Sequence, residues 1–107
     1  MIQKIDLKLT VREFASLFAI CHDRKQDFES GYTFRPDEIA LAEYSDELER
    51  RVHTWSERKP SNEYKFSMRL SVAMTIWLGR THYRPDNMLL GKIDKALVDL
   101  KITPFVL

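Results

Sequence analysis

The chain has 107 residues, 44% apolar and 31% charged, and its 17 basic and 16 acidic side chains leave a net charge of +1. That length supports one globular domain over residues 1–107, and the composition excludes a disordered chain. No apolar run nears the ~20 residues that a bilayer span needs, near-neutral charge gives no global pull toward nucleic acid, and a lone Cys21 excludes an internal disulfide.

The opening MIQKIDLKLT lacks the basic segment and apolar core of a signal peptide, so a reducing cytoplasm is the expected compartment, with no membrane association. Within it, Ile5, Leu7, Leu9 and Val11 alternate with polar residues, which predicts a half-buried strand. Thr10 and Glu13 then form a T-x-x-E capping box, the signature of a helix start. Phe14, Leu17, Phe18 and Cys21 give the following helix a buried face, and it should fade between residues 28 and 31.

A second helix should open at Pro36, where a missing N–H costs nothing, with Asp37 and Glu38 at its positive end. Leu41, Tyr44, Leu48, Val52 and Trp55 recur at helical spacing, so this helix is expected to run on to the loop SERKPSN. On its outer side, Asp46 with Arg50 and Glu47 with Arg51 read as i,i+4 ion pairs.

The stretch YKFSMRLSVAMTIWLG, residues 64–79, carries two periods at once. Tyr64, Phe66, Met68, Leu70, Val72, Met74, Ile76 and Leu78 alternate as in a strand, whereas Ser67, Ser71, Thr75 and Gly79 fall every fourth residue, as on one side of a helix. A strand over residues 64–78 would span roughly 50 Å, a helix about 22 Å, so length favours a central helix. The last helix opens at Pro85 and Asp86 and buries Leu89, Leu90, Ile93, Leu97 and Leu100. The apolar tail ITPFVL reads as a short strand that would pair beside the N-terminal one, at an edge because of Pro104. GYTFRPD at residue 31 and GRTHYRPD at residue 79 echo each other, which again favours a helix over 64–78. The expected fold is therefore mainly α, four helices in two antiparallel pairs with short N- and C-terminal strands. The alternative is an α+β fold with a long central strand at 64–78.

No chemical constellation stands out. His22, His53 and His82 lie in separate segments, the adjacent Cys21-His22 pair diverges on a helix, and the three glycines are too scattered to cradle a phosphate. No cofactor, metal site or catalytic residue is predicted, and the chain is read as not an enzyme. Charge is unevenly placed: residues 37–49 hold six acids and no base, whereas residues 65–84 hold Lys65, Arg69, Arg80 and Arg84 and no acid. WLGRTHYR adds Trp77, His82 and Tyr83 to Arg80 and Arg84, a mixture typical of interface hot spots.

These features predict a protein-binding module, a small adaptor or inhibitor that occupies a partner's surface. Its contact residues would be Trp77, Arg80, His82, Tyr83 and Arg84 with Lys65 and Arg69, and a second, acidic face would comprise Asp37, Glu38, Glu43, Asp46 and Glu47. The alternative is nucleic-acid binding by the basic and aromatic segment 65–84, where the same side chains would stack on bases and pair with phosphates. The small-residue side of 67–79 leaves room for self-association as well.

Overall fold

The computed structural model describes residues 4–31 and 35–100, without the side chain of Asp37. Strand β1 (Lys4–Leu9) leads through Thr10 into helix α1 (Val11–Glu29), followed by α2 (Pro36–Glu49) and the short α3 (Val52–Ser56). Strand β2 (Tyr64–Arg69) then runs directly into α4 (Leu70–Leu78), the single turn α5 (Arg80–Tyr83) and α6 (Asn87–Asp99). The architecture is mainly α with short strands, as expected. The tail predicted as a second terminal strand, residues 102–107, lies outside the described residues.

The N-terminal half follows its local signals. Ile5, Leu7 and Leu9 are buried while Lys4, Asp6 and Lys8 face out. At Thr10 the capping box closes both ways, with the Glu13 amide donating to Thr10 Oγ1 at 3.3 Å and the Thr10 amide to Glu13 Oε1 at 2.9 Å. Helix α1 ends where Gly31 takes φ +89°, a conformation that strains any residue with a side chain. It packs against α2, and Lys25 Nζ reaches both Asp46 (2.7 Å) and Glu49 (3.7 Å) across the contact.

Three expectations need correction. First, residues 64–78 are neither one helix nor one strand, because the chain changes state at Arg69. The strand half pairs antiparallel with β1, setting Leu7 against Phe66 and Ile5 against Met68, so that apolar side chains meet on one face. Leu9 stands opposite Tyr64, so the capping box that turns the chain into α1 at Thr10 marks where the ladder begins on β2, and β2 ends at Arg69 opposite Lys4. Leu70–Leu78 folds as a helix, burying Val72, Ala73 and Ile76 at helical spacing. A continuous strand over 64–78 would also exceed the molecule's largest dimension, 38 Å.

Second, the helix from Pro36 breaks at Arg50 and Arg51, where the Arg51 amide turns back to the Leu48 carbonyl at 2.9 Å. Val52, expected in the buried stripe, is 37% exposed, whereas Trp55 beyond the break is 3% exposed. The re-aimed Trp55 ring stacks on Phe14 (centroids 4.6 Å apart, planes within 3°) and receives the edges of Phe66 and Tyr64. Third, the outer acids of α2 do not take their i,i+4 arginines as ion-pair partners. Asp46 goes to Lys25 on α1 and Glu47 to Arg69 on β2. The echoed R-P-D triplets also differ in shape. Arg35 is extended and stands directly before α2, whereas Arg84 is left-handed and α6 starts only after Asp86.

Helix α6 buries Leu89, Ile93 and Leu97 as predicted, with Leu90 half-buried and Leu100 exposed at its frayed end. Asp86 caps it by accepting from the Met88 amide at 3.0 Å and the Leu89 amide at 3.4 Å. The core lies between α1, α2, α4, α6 and the inner face of the sheet.

Candidate protein-binding surface

The segment predicted as a contact surface forms the corner between α4 and α6. Trp77, on the last turn of α4, is half-buried and its Nε1 donates to Asp94 Oδ1 on α6 at 3.0 Å. The Arg80 guanidinium lies over the Trp77 ring, 4.1 Å from its centroid, and Nη1 donates to the Trp77 carbonyl at 2.9 Å. A cation is favoured there because the last carbonyls of a helix lack partners.

Between them Gly79 has no room for a side chain: a Cβ would stand 2.5 Å from Tyr83 Cε2. The Tyr83 ring therefore folds back onto the chain, half-buried, with His82 edge-on at 5.1 Å and Arg24 of α1 5.9 Å from its centroid. Arg84 follows at φ 52°, ψ 57°, the only non-glycine residue with positive φ among those described. That conformation costs an L-residue about 1–2 kcal/mol, and the succeeding Pro85 favours extended backbone instead.

The corner is fixed to α1. The Asp86 amide donates to Ser16 Oγ at 2.9 Å, Arg12 Nε lies 3.3 Å from Asp86 Oδ2, and Pro85 is buried. A cleft of ≈ 260 Å³ remains between the corner and α1, lined by Ser16, Asp23, Arg24, His82, Tyr83 and Arg84 among others. Three predicted residues thus meet two polar residues and an arginine that the segment itself did not suggest. The readable signal for α1's share is that Ser16, Ala19 and Asp23 recur at helical spacing, short side chains that admit a closely packed turn.

Lys65 and Arg69 have other surroundings. Lys65 is exposed on β2 opposite Lys8, on the outer face of the sheet that also carries Lys4. Arg69 binds Glu47 and lies 5.8 Å from the Tyr44 ring centroid. Of the acidic face, Glu43 is exposed, Glu38 is 3.7 Å from Arg35, Asp46 and Glu47 are paired as above, and the side chain of Asp37 lies outside the described residues. The hydrogen bond and charge of Lys25 hold the Asp46 carboxyl below its usual range.

The larger cleft, ≈ 360 Å³, lies where Thr10, Glu13, Glu63, Asp86 and Lys92 meet. Lys92 Nζ donates to Glu13 Oε1 (2.5 Å), Glu63 Oε2 (2.5 Å) and the Lys8 carbonyl (2.7 Å), joining α6 to β1, α1 and the loop before β2. Burial by itself would lower the Lys92 pKa, but the hydrogen bonds from Glu13 and Glu63 outweigh it and the net shift is upward. The amine is thus held protonated, without the lone pair that a nucleophile or Schiff-base lysine needs. Cys21 is a core residue whose thiol is pushed up to about 12 by burial, a neutral group rather than a reactive thiolate. The three histidines have unrelated neighbours: Phe18 for His22, Glu57 for His53 and Tyr83 for His82. Among the described residues no three His, Cys, Asp or Glu side chains gather as a metal site, and no helix is long and apolar enough to cross a membrane.

Comparison with protein-family models, curated proteins and solved structures gives no match to this chain.

Proposed function

We propose that the chain is a non-enzymatic protein-binding module, a small adaptor or inhibitor that acts by covering part of a partner's surface. One observation carries this reading: the α4–α6 corner gathers exposed Arg80, His82 and Arg84 around the half-buried rings of Trp77 and Tyr83, on backbone anchored to α1 and α6. Aromatic and arginine side chains supply most of the binding energy at protein interfaces, and anchoring them beforehand reduces the ordering cost of association. The acidic outer side of α2, with Glu43 at its centre, provides a second surface that orients a basic region of the partner.

The test is capture from host lysate with wild-type chain and with R80A/R84A, followed by binding of the purified candidate. A single protein retained at high salt and after nuclease, and released by the double substitution in a variant that melts like wild type, supports the reading. Equal capture by both chains, or an R80A/R84A variant that unfolds, removes the corner as a contact surface.

A second reading, nucleic-acid binding, draws on Lys4, Lys8 and Lys65 sharing the exposed face of the sheet. It predicts affinity that falls steeply with salt, and salt-insensitive binding removes it. Of the four bases in the segment 65–84, Arg69 has its charge offset by Glu47.

A further inference from the structure

We propose that the cleft between α1 and the α4–α6 corner is a pocket for one carboxylate side chain, the point at which an acidic residue of the partner protein is gripped by Arg24 and Arg84. The inference rests on the protein-binding reading and names the chemistry that its corner recognises.

Two arginines from distant parts of the chain line the same small cleft, with His82 beside them. Arg24 is held from two directions, by Asp27 Oδ2 at 3.0 Å from Nη2 and by the Tyr83 ring beneath its guanidinium. A guanidinium carries five N–H donors in a planar fork, so the Asp27 contact leaves donors for a second carboxylate. The Arg84 amide donates to the Arg80 carbonyl at 3.1 Å, but its side chain is exposed, with no side-chain hydrogen bond or ion pair among the described residues. Its backbone is nevertheless held in the left-handed region. Glycine or asparagine would occupy that position with less strain. A residue kept against its conformational preference beside a cleft points to use of its side chain.

The size and balance of the pocket select the ligand. At ≈ 260 Å³ it accommodates a single side-chain head group. Asp23 also lines the cleft and Asp27 engages Arg24, so with the two arginines these four charges sum to zero and the site holds no excess positive charge for a run of phosphates. A single carboxylate is taken by the unengaged Arg84 side chain and the remaining donors of Arg24. An acidic peptide side chain meets these conditions and a nucleic-acid backbone does not. Ser16 Oγ already accepts from the Asp86 amide, which fixes the floor and leaves its hydroxyl proton to donate to the incoming oxygen.

The experiment uses the full ¹⁵N-labelled chain and N-acetyl-glutamate N-methylamide as probe, with the glutamine analogue as neutral control. Saturable shifts of the Arg24 and Arg84 Nε–H signals and of His82, produced by the acidic probe alone, are expected. R84G, which suits the left-handed backbone and should melt no lower than wild type, is expected to bind the probe about fivefold more weakly. Identical shifts from the glutamine analogue, or unchanged affinity in R84G, overturn the proposal. Tighter binding of an oligothymidylate at the same signals also overturns it, in favour of a phosphate backbone. No captured partner enters this measurement. A partner lost in R80A/R84A without any probe binding therefore sinks the pocket and leaves the contact surface standing, whereas probe binding without partner loss does the opposite.

Discussion

Replacing Lys92 by methionine should destabilise the protein by more than any surface charge substitution. Methionine keeps the length and apolar stem of the side chain, so packing is nearly conserved and the loss is electrostatic. The lysine side chain is 21% exposed and that of Glu13 only 4%. Without Lys92 the Glu13 carboxylate keeps the Thr10 amide as its hydrogen-bond donor in a site that water scarcely reaches. Removing one partner of a fully buried pair costs about 3–5 kcal/mol. Partial access at Lys92 places the expectation lower, at about 2–3 kcal/mol, including the hydrogen bond to the Lys8 carbonyl. For a chain of this size that corresponds to a fall in Tm of about 8–12 °C. Urea denaturation at pH 7 of wild type, K92M, E13Q and E13Q/K92M measures it as a cycle. E13Q retains the oxygen that closes the capping box but carries no charge, so the double variant should be less destabilised than the singles sum to, by about 1–3 kcal/mol. The raised Lys92 pKa means that its contribution is complete below the ordinary value of 10.5 and fades as pH rises beyond it, so the gap between wild type and K92M should narrow in alkali. A K92M loss under about 0.5 kcal/mol, the ordinary scatter of surface substitutions, or strictly additive singles would refute the argument.

Ser45 Oγ is fully buried and has no hydrogen-bond partner among the described residues, so S45A should gain about 1 kcal/mol in urea midpoint analysis, and a loss would reveal a hidden bond. Trp55→Ala should cost about 3–5 kcal/mol and Val52→Ala less than about 0.5 kcal/mol, and similar losses in chemical denaturation would mean that the α2–α3 break is wrongly placed. Native Cys21 should react with a disulfide reagent at pH 8 on the order of 100-fold more slowly than in denaturant, since burial both shields the thiol and keeps it protonated; equal rates would contradict its placement in the core. Because that pKa lies above its ordinary 9.0, Cys21 also favours the folded state less as pH climbs past 9.0. In acid the paired carboxylates Asp46 and Glu63, both lowered by their lysines, should withdraw stability as pH falls below their ordinary values of 3.8 and 4.5, and thermal melts flat across that window would refute it.

What could be read in the sequence was what neighbouring residues decide together. The capping box at Thr10, the stop at Gly31, the Pro36 start and the α6 stripe each arise within one or two turns of chain, and each stands where it was expected. The stretch 64–78 was ambiguous because its large apolar residues keep the strand period throughout while its small residues fall at helical spacing. The missing information was which of these residues would find a ladder partner in β1, more than fifty residues earlier in the chain. Ion pairs failed in the same way: Glu47 had an arginine one turn away, yet Arg69 reaches it across the fold. At the candidate surface Trp77, Arg80, His82, Tyr83 and Arg84 were legible from their mixture of types. Arg24 and Ser16 were not, since only tertiary packing brings α1 to that corner.

The two strands that make the sheet belong to opposite ends of the folding process. β1 is synthesised before the residues it pairs with, Tyr64 to Arg69, which follow on the order of 60 positions later. The α1–α2 hairpin lies wholly within that interval and closes on local contacts, so it should form while β1 still waits unpaired. Completion of the ladder then commits the rest of the chain in one step, because β2 passes into α4 without a loop and Lys92 of α6 fastens onto β1 and α1. Pulse-labelled hydrogen exchange should accordingly show amides of α1 and α2 protected before those of β1, and the strand that precedes α1 should be among the last elements to settle.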